Sequence, residues 1–380
     1  MNRSRFLLLV AVTLAAVVLV ALLNRPDGGK TGAQGLLLPT LSDNVNRIDA
    51  VDIVAPGGAV AVTLRRDEER WRVREKDGYE ADFGQVVDLL STLAEAELEE
   101  PRTDSPEWYA RLGVQDVDAP DATGRRIDFP GRDLSSVIVG QTDPSGEGSY
   151  ARRVGEARGW LLDAIVEVPV DPIAWLEPGI MDIPASDIAE VIVRHPDGET
   201  VQIKGAGDDD RRFVLMGVPE GREAGEPFRR TALANGLRAL NLEDVRRFEP
   251  PTPDDAVRVL FTTTDGLNFI AEAFERDEAY WVHFTVSADD APASAELAGE
   301  AAPDPAATVA AGSADAAGEA GAEERLADAV AVDARLSPWL FGITKRRYDD
   351  ITPRLEDLLA PPEEAPEEGG DDRPAPPADG

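Results

Sequence analysis

The stretches IDAVDIVAPGGAVAVTL (residues 48–64) and IAEVIVRHPDGETVQI (residues 188–203) decide how this chain is read. In the first, Ile48, Val51, Ile53 and Val54 form an apolar strand pattern, Pro56-Gly57-Gly58 supplies a turn, and Val60, Val62 and Leu64 alternate on the return. Alternation of this kind marks a strand with one face buried. The second stretch repeats the order with Ile188, Val191, Ile192 and Val193, the turn Pro196-Asp197-Gly198, and Val201 and Ile203. Two hairpins of one design, 140 residues apart, predict an internal duplication.

The repetition extends outward. Trp71-Arg72-Val73 and Phe213-Val214-Leu215 each begin a third strand. Asp82-Phe83-Gly84-Gln85 then resembles a capping box. Phe83, Val86, Val87, Leu90, Leu93 and Ala94 follow at helical spacing as one apolar face, and a helix over 227–242 carries Phe228, Leu233, Leu237 and Leu240. Val137–Gly140, Tyr150–Arg153 and Trp160–Leu162 are matched with Val257–Phe261, Asn268–Ala271 and Tyr280–Val282. Each set leads into a Trp segment, Trp175–Ile180 in one and Trp339–Ile343 in the other. Sequential strands, short turns and a main helix per unit predict an α+β class, two similar units of mostly antiparallel sheet with helices packed on it. The expected boundaries are 45–186 and 187–352.

Residues 6–23, FLLLVAVTLAAVVLVALL, form an unbroken apolar run with Thr13 as its only polar member. At 1.5 Å per residue it spans about 27 Å, close to the hydrocarbon thickness of a bilayer. One transmembrane helix is therefore expected, with residues 1–5 as a cytoplasmic end, because Arg3 and Arg5 precede the run. Residues 24–44 read as a tether. A cleaved signal peptide is the alternative, but Ala21-Leu22-Leu23-Asn24-Arg25 is a poor small-x-small site and there is no Cys for lipoprotein processing. The expected location is the inner (cytoplasmic) membrane, single-pass, with the bulk of the chain periplasmic.

The formal net charge is −35 over 380 residues. Residues 287–325 carry −8 and residues 361–380 carry −6, which leaves −21 on the rest. Such a surface repels phosphate backbones, so no nucleic-acid partner is expected. Residues 287–331 hold few branched or aromatic residues, and a segment of that composition buries too little apolar area to offset its ordering entropy. They read as a disordered insertion before the Trp339 segment, with enough Ala for transient helix. Residues 353–380 read as an acidic disordered tail, solvated from Pro361 to Gly380.

Chemistry-bearing motifs are sparse. The absence of Cys excludes disulfides, thiolate nucleophiles and Cys-ligated metals, and two histidines, His195 and His283, do not make a multi-imidazole site. No phosphate-cradling glycine loop, GxSxG or HExxH is present. His195 is expected to be an exposed turn residue and His283 a strand side chain. Asp208-Asp209-Asp210 before Arg211-Arg212 reads as a self-neutralising turn rather than a calcium loop. Trp175 and Trp339 are expected to be buried aromatics, and Arg152-Arg153 beside Tyr150 to offset the chain's own acid. Catalytic residues, cofactor-binding residues, metal ligands and cofactors: none is assigned, and no enzyme activity is expected.

Glu107-Trp108-Tyr109-Ala110-Arg111-Leu112-Gly113-Val114, Gly148-Ser149-Tyr150-Ala151-Arg152-Arg153 and Trp160-Leu161-Leu162-Asp163, with the single N-terminal span and the hairpin turns, resemble the bacterial family called domain of unknown function 4340. The resemblance covers roughly residues 45–250. It brings no functional residues with it. It implies a membrane-anchored envelope protein, accessory to an ABC-transporter-type membrane complex and bound to an integral-membrane partner. A cell-wall or small-molecule binding module is the alternative expectation, and a hydrolase of unrecognised type the third.

Overall fold

The computed structural model describes residues 35–206, 213–288 and 316–361. They divide into two units, at Glu177/Pro178. The anchor run 6–23 and the Asp208–Arg212 turn lie outside the described residues, as does most of the insertion and of the acidic tail. Among the described residues no helix is long and apolar enough to cross a membrane.

In the first unit β1 (Ala50–Val54), β2 (Val60–Asp67), β3 (Arg70–Val73), β4 (Tyr79–Glu80), β5 (Leu98–Thr103), β6 (Arg125–Asp128), β7 (Val137–Thr142), β8 (Ser149–Arg153) and β9 (Gly159–Leu162) make one sheet. Its order is β4-β3-β2-β1-β6-β7-β8-β9-β5, and every pairing is antiparallel. Its helices are α1 (Pro39–Ser42), α2 (Phe83–Glu95) and α3 (Tyr109–Leu112). In the second unit β10 (Gly179–Met181), β11 (Ile188–Arg194), β12 (Thr200–Gly205), β13 (Phe213–Leu215), β14 (Leu240–Asn241), β15 (Asp244–Arg247), β16 (Val257–Thr263), β17 (Asn268–Arg276), β18 (Ala279–Ser287) and β19 (Trp339–Ile343) appear. The main sheet runs β13-β12-β11-β16-β17-β18-β19-β15, and β10 pairs with β14 apart from it. The helices are α4 (Pro227–Ala234), α5 (Ala316–Leu336), α6 (Lys345–Ile351) and α7 (Leu355–Leu358).

With β4 set aside, the two orders match strand for strand, so the duplication is present in the topology. The match differs by one strand from the sequence expectation. β6 (RRID) carries Ile127 as its only buried residue and shows no alternation in the sequence. It is nevertheless the counterpart of β16, which moves β7 onto β17, β8 onto β18 and β9 onto β19. Trp339 therefore corresponds to Trp160, not to Trp175.

Trp175 has a different counterpart. Its carbonyl accepts from Asp82 N–H (2.9 Å), and Glu177 N–H donates to Glu80 (3.0 Å). In the second unit the Leu358 carbonyl accepts from Gly225 N–H and Ala360 N–H donates to Glu223, both at 2.8 Å. Each unit thus ends by latching its last residues onto the segment just before its main helix. Each also begins with a latch behind that helix: Leu37 N–H donates to Ala96 (2.7 Å), and Leu242 N–H donates to Pro178 (2.9 Å).

These latches correct three expected boundaries. Residues 35–44 are part of the first unit, with Leu37, Leu38 and Leu41 buried, and not tether. The first unit closes at Glu177, ahead of residue 186. Residues 353–361 belong to the second unit, where Leu358 and Leu359 are buried. The insertion is also shorter than expected, because α5 already begins at Ala316, buries Ala329 and Leu336, and packs along β18.

Helix α2 starts as its sequence predicts, with the Asp82 carboxylate accepting from Gln85 N–H at 3.1 Å. Its buried side is Val86, Leu89, Leu90, Leu93 and Ala94. Phe83 and its counterpart Phe228 are exposed, because both stand at the first turn, ahead of the stripe that meets the sheet. The second helix is shorter than expected: it ends at Ala234, and Leu240 lies in β14.

Candidate functional site

The residues singled out in the sequence are mostly spent on their own unit. Trp175 is fully buried, and its indole N–H donates to the Pro169 carbonyl (3.0 Å). Trp339 is buried beneath the Arg247 guanidinium, 4.1 Å from its ring centroid. Arg153 Nε donates to the Leu37 carbonyl (2.7 Å). His195 is buried, which corrects the expectation of an exposed turn residue. The C-terminal latch covers it, and its Nε2 lies 3.2 Å from the Pro353 carbonyl. Arg354 of that latch pairs with Asp197 (2.8 Å) and with Glu199.

In the first unit the three family-like segments converge on one face of the sheet, the face that carries Tyr150 and Leu161. Tyr109, Val114, Tyr150 and Leu161 form a buried cluster with Leu112 against it. Arg152, 4 % exposed, runs under Tyr109 with its guanidinium carbon 4.7 Å from the ring centroid, and its Nε donates to the Val114 carbonyl at 2.8 Å. The α3 backbone approaches so closely because two residues beneath it lack side chains. A Cβ on Gly124 would stand 2.2 Å from the Gly113 oxygen, and one on Gly140 only 2.1 Å from the Leu112 oxygen. Only glycine admits that approach.

The second unit builds the same face differently. The matched hairpins set the register, with Ala55 N–H donating to the Ala59 carbonyl as His195 N–H donates to that of Glu199. Following the ladders from there, Arg258 takes the place of Arg126, Glu272 that of Ile138 and His283 that of Arg152. On this face the second unit has a cleft of about 870 Å³, lined by Arg194, Thr252, Arg258, Ile270, Glu272 and Thr285 among others, where the first has a smaller one of about 500 Å³ beside Tyr109, Arg126 and Arg152.

Glu272 organises this cleft. Arg258 Nε donates to its Oε1 and the Thr252 hydroxyl to its Oε2, each at 3.0 Å. His283 lies behind it, 5 % exposed and stacked on Phe248 with ring centroids 3.5 Å apart. Its Nε2 faces the Ser337 carbonyl at 3.0 Å and donates to it, since a carbonyl only accepts. Its Nδ1 has no hydrogen-bond partner and stands 3.8 Å from Glu272 Oε2, an electrostatic contact beyond hydrogen-bond length. His283 first, then the Thr252 hydroxyl and Arg258, hold the Glu272 carboxyl below its ordinary range against the opposing push of burial.

The other shifted carboxyls also move down. Asp143 is held at about 2 by the Ser145 hydroxyl and the Tyr150 hydroxyl. Asp197 is lowered by the Glu199 N–H and Arg354, and Glu356 by Arg222. Burial pushes Glu199 up, but the Leu355 N–H and Arg354 outweigh it. Among the described residues no group of three or more His, Asp or Glu is placed to hold a metal ion. Only the strand ladders bring Arg258, Glu272 and His283 together, and no sequence signal marked Arg258 or Glu272.

No curated protein and no solved structure is significantly similar to this chain. Residues 71–259, from β3 of the first unit to β16 of the second, match a family model. They contain all three convergent segments of the first unit and Arg258 of the cleft. By that match the chain belongs to the family described as domain of unknown function (DUF4340).

Proposed function

We propose that the chain is a non-catalytic accessory or scaffold protein of an ABC-transporter-type membrane complex, anchored by residues 6–23 with both units outside the cytoplasm. The observation that carries the non-catalytic part is how its polar groups are used. Arg152, Arg153 and His195 face carbonyl oxygens of their own unit. Among the described residues each carboxyl with a resolved shift is moved down. A proton donor working near neutral pH needs the opposite shift. The location rests on Arg3 and Arg5 ahead of the apolar run, and a reporter fused after Gly380 should be active only outside the cytoplasm.

An anchor confines a protein beside its partner and raises effective concentration, so weak contacts suffice. A soluble exported form should therefore fail to complement a deletion, while the same units on an unrelated single-span anchor should restore function at least partly. That form should start at Gly35, because Leu37 and Leu38 are buried in the first unit. Equal rescue by the soluble form would remove the accessory reading. The polar cleft of the second unit favours a second reading, a binding module for a cell-wall or small-molecule ligand.

A further inference from the structure

Arg258 stands on the floor of the second unit's cleft with its direction set. Its Nε is tied to Glu272 Oε1, and Glu272 is itself held by the Thr252 hydroxyl and backed by His283. The side chain remains 54 % exposed, and its two Nη groups make no hydrogen bond among the described residues. A guanidinium fixed along one edge presents the other as a planar fork, the geometry that grips a carboxylate through two parallel hydrogen bonds. Arg194 is its cross-strand neighbour.

We propose that this cleft is a binding site for a ligand bearing a single carboxylate, held by the Nη edge of Arg258 beside Arg194. Glu272 and Asp254 line the same cleft and disfavour a dianion such as phosphate. Ile270 and Pro253 supply an apolar wall for the group next to the carboxylate, and Thr285 a hydroxyl. A volume of about 870 Å³ suits a short peptide. In the first unit the equivalent Arg126 donates its Nε to Asp128 at 2.9 Å, and Ile138 stands at the register of Glu272. The inference deepens the binding-module reading and does not depend on the accessory role. Ligand titration tests it apart from the anchor-exchange experiment.

The test is saturation-transfer NMR and calorimetry on the full chain in detergent, with acetyl-Ala-Ala, its C-terminal amide and inorganic phosphate as probes. The acid should bind saturably at millimolar concentration, and the amide and phosphate at least about tenfold more weakly. Arg258→Lys keeps the charge and the Glu272 partner but loses the fork, and should weaken the acid by on the order of tenfold. Arg258→Ala should weaken it further. If the alanine variant does not fold, the lysine variant and the acid-versus-amide comparison still decide. Equal binding of acid and amide, tighter binding of phosphate, unchanged affinity in Arg258→Lys, or no binding of the acid up to on the order of 10 mM would each overturn the proposal.

Discussion

The same face of the same sheet is covered in large part by the chain itself in the first unit and carries a larger cleft in the second. In the first, Gly124 and Gly140 let the Leu112-Gly113 backbone sit on the strands, and Tyr109, Val114 and Arg152 seal the edge. In the second, Arg258 and Glu272 stand at the registers of Arg126 and Ile138 and line a larger polar cleft. A duplicated sheet needs only one apolar core face per copy, so the other face is free to diverge. Two glycines admit the chain's own backbone onto this face in one unit, and an ion pair lines the cleft in the other.

The largest expected effect breaks the seal. Gly140→Ala places a Cβ against the Leu112 oxygen and should cost about 3 kcal/mol or more, because backbone cannot yield as a side chain can. Glu272→Ala on the same face of the second unit should cost about 1 kcal/mol, since it removes an ion pair at the floor of an open cleft. Urea unfolding midpoints of the two variants check the difference, and similar losses would mean that the faces are not built as contrasted here.

Arg152 and Thr285 sharpen the contrast at the next level. Arg152→Ala removes a buried guanidinium from Tyr109 and leaves the Val114 and Glu156 carbonyls without their donor, so about 2–3 kcal/mol is expected. Thr285, on the same face of the second unit, should change stability by less than about 0.5 kcal/mol when replaced by Ala. Thermal melts of the pair suffice.

The smallest effect is one of pH. Asp143 is depressed from 3.8 to about 2 by Ser145 and Tyr150. A carboxyl with a lowered folded-state pKa contributes stability that is complete above its unfolded value and lost as pH falls through the folded one. Asp143→Asn should therefore destabilise at pH 7, and the gap to the unaltered protein should shrink from about pH 4 down towards pH 2. A gap that is constant with pH would assign the effect to packing instead of charge.

The sequence by itself determined the α+β class, the duplication, the hairpins 48–64 and 188–203, and the Asp82 start of the first main helix. These signals are local: period-two alternation, turn residues and a cap each act within a few neighbours. It also marked the three segments of residues 107–163 by their resemblance to the family, though not that they meet. Only the tertiary structure decided that β6, with one buried residue, belongs at the centre of the first sheet, because its neighbours β1 and β7 supply the partners. Only it showed that residues 35–44 and 353–361 are packed, that Phe83 and Phe228 are exposed, and that His195 lies beneath Pro353. The meeting of Arg258, Glu272 and His283 is invisible along the chain for the same reason. Burial and cross-strand partnership are set by residues tens of positions away, and no local pattern carries that information.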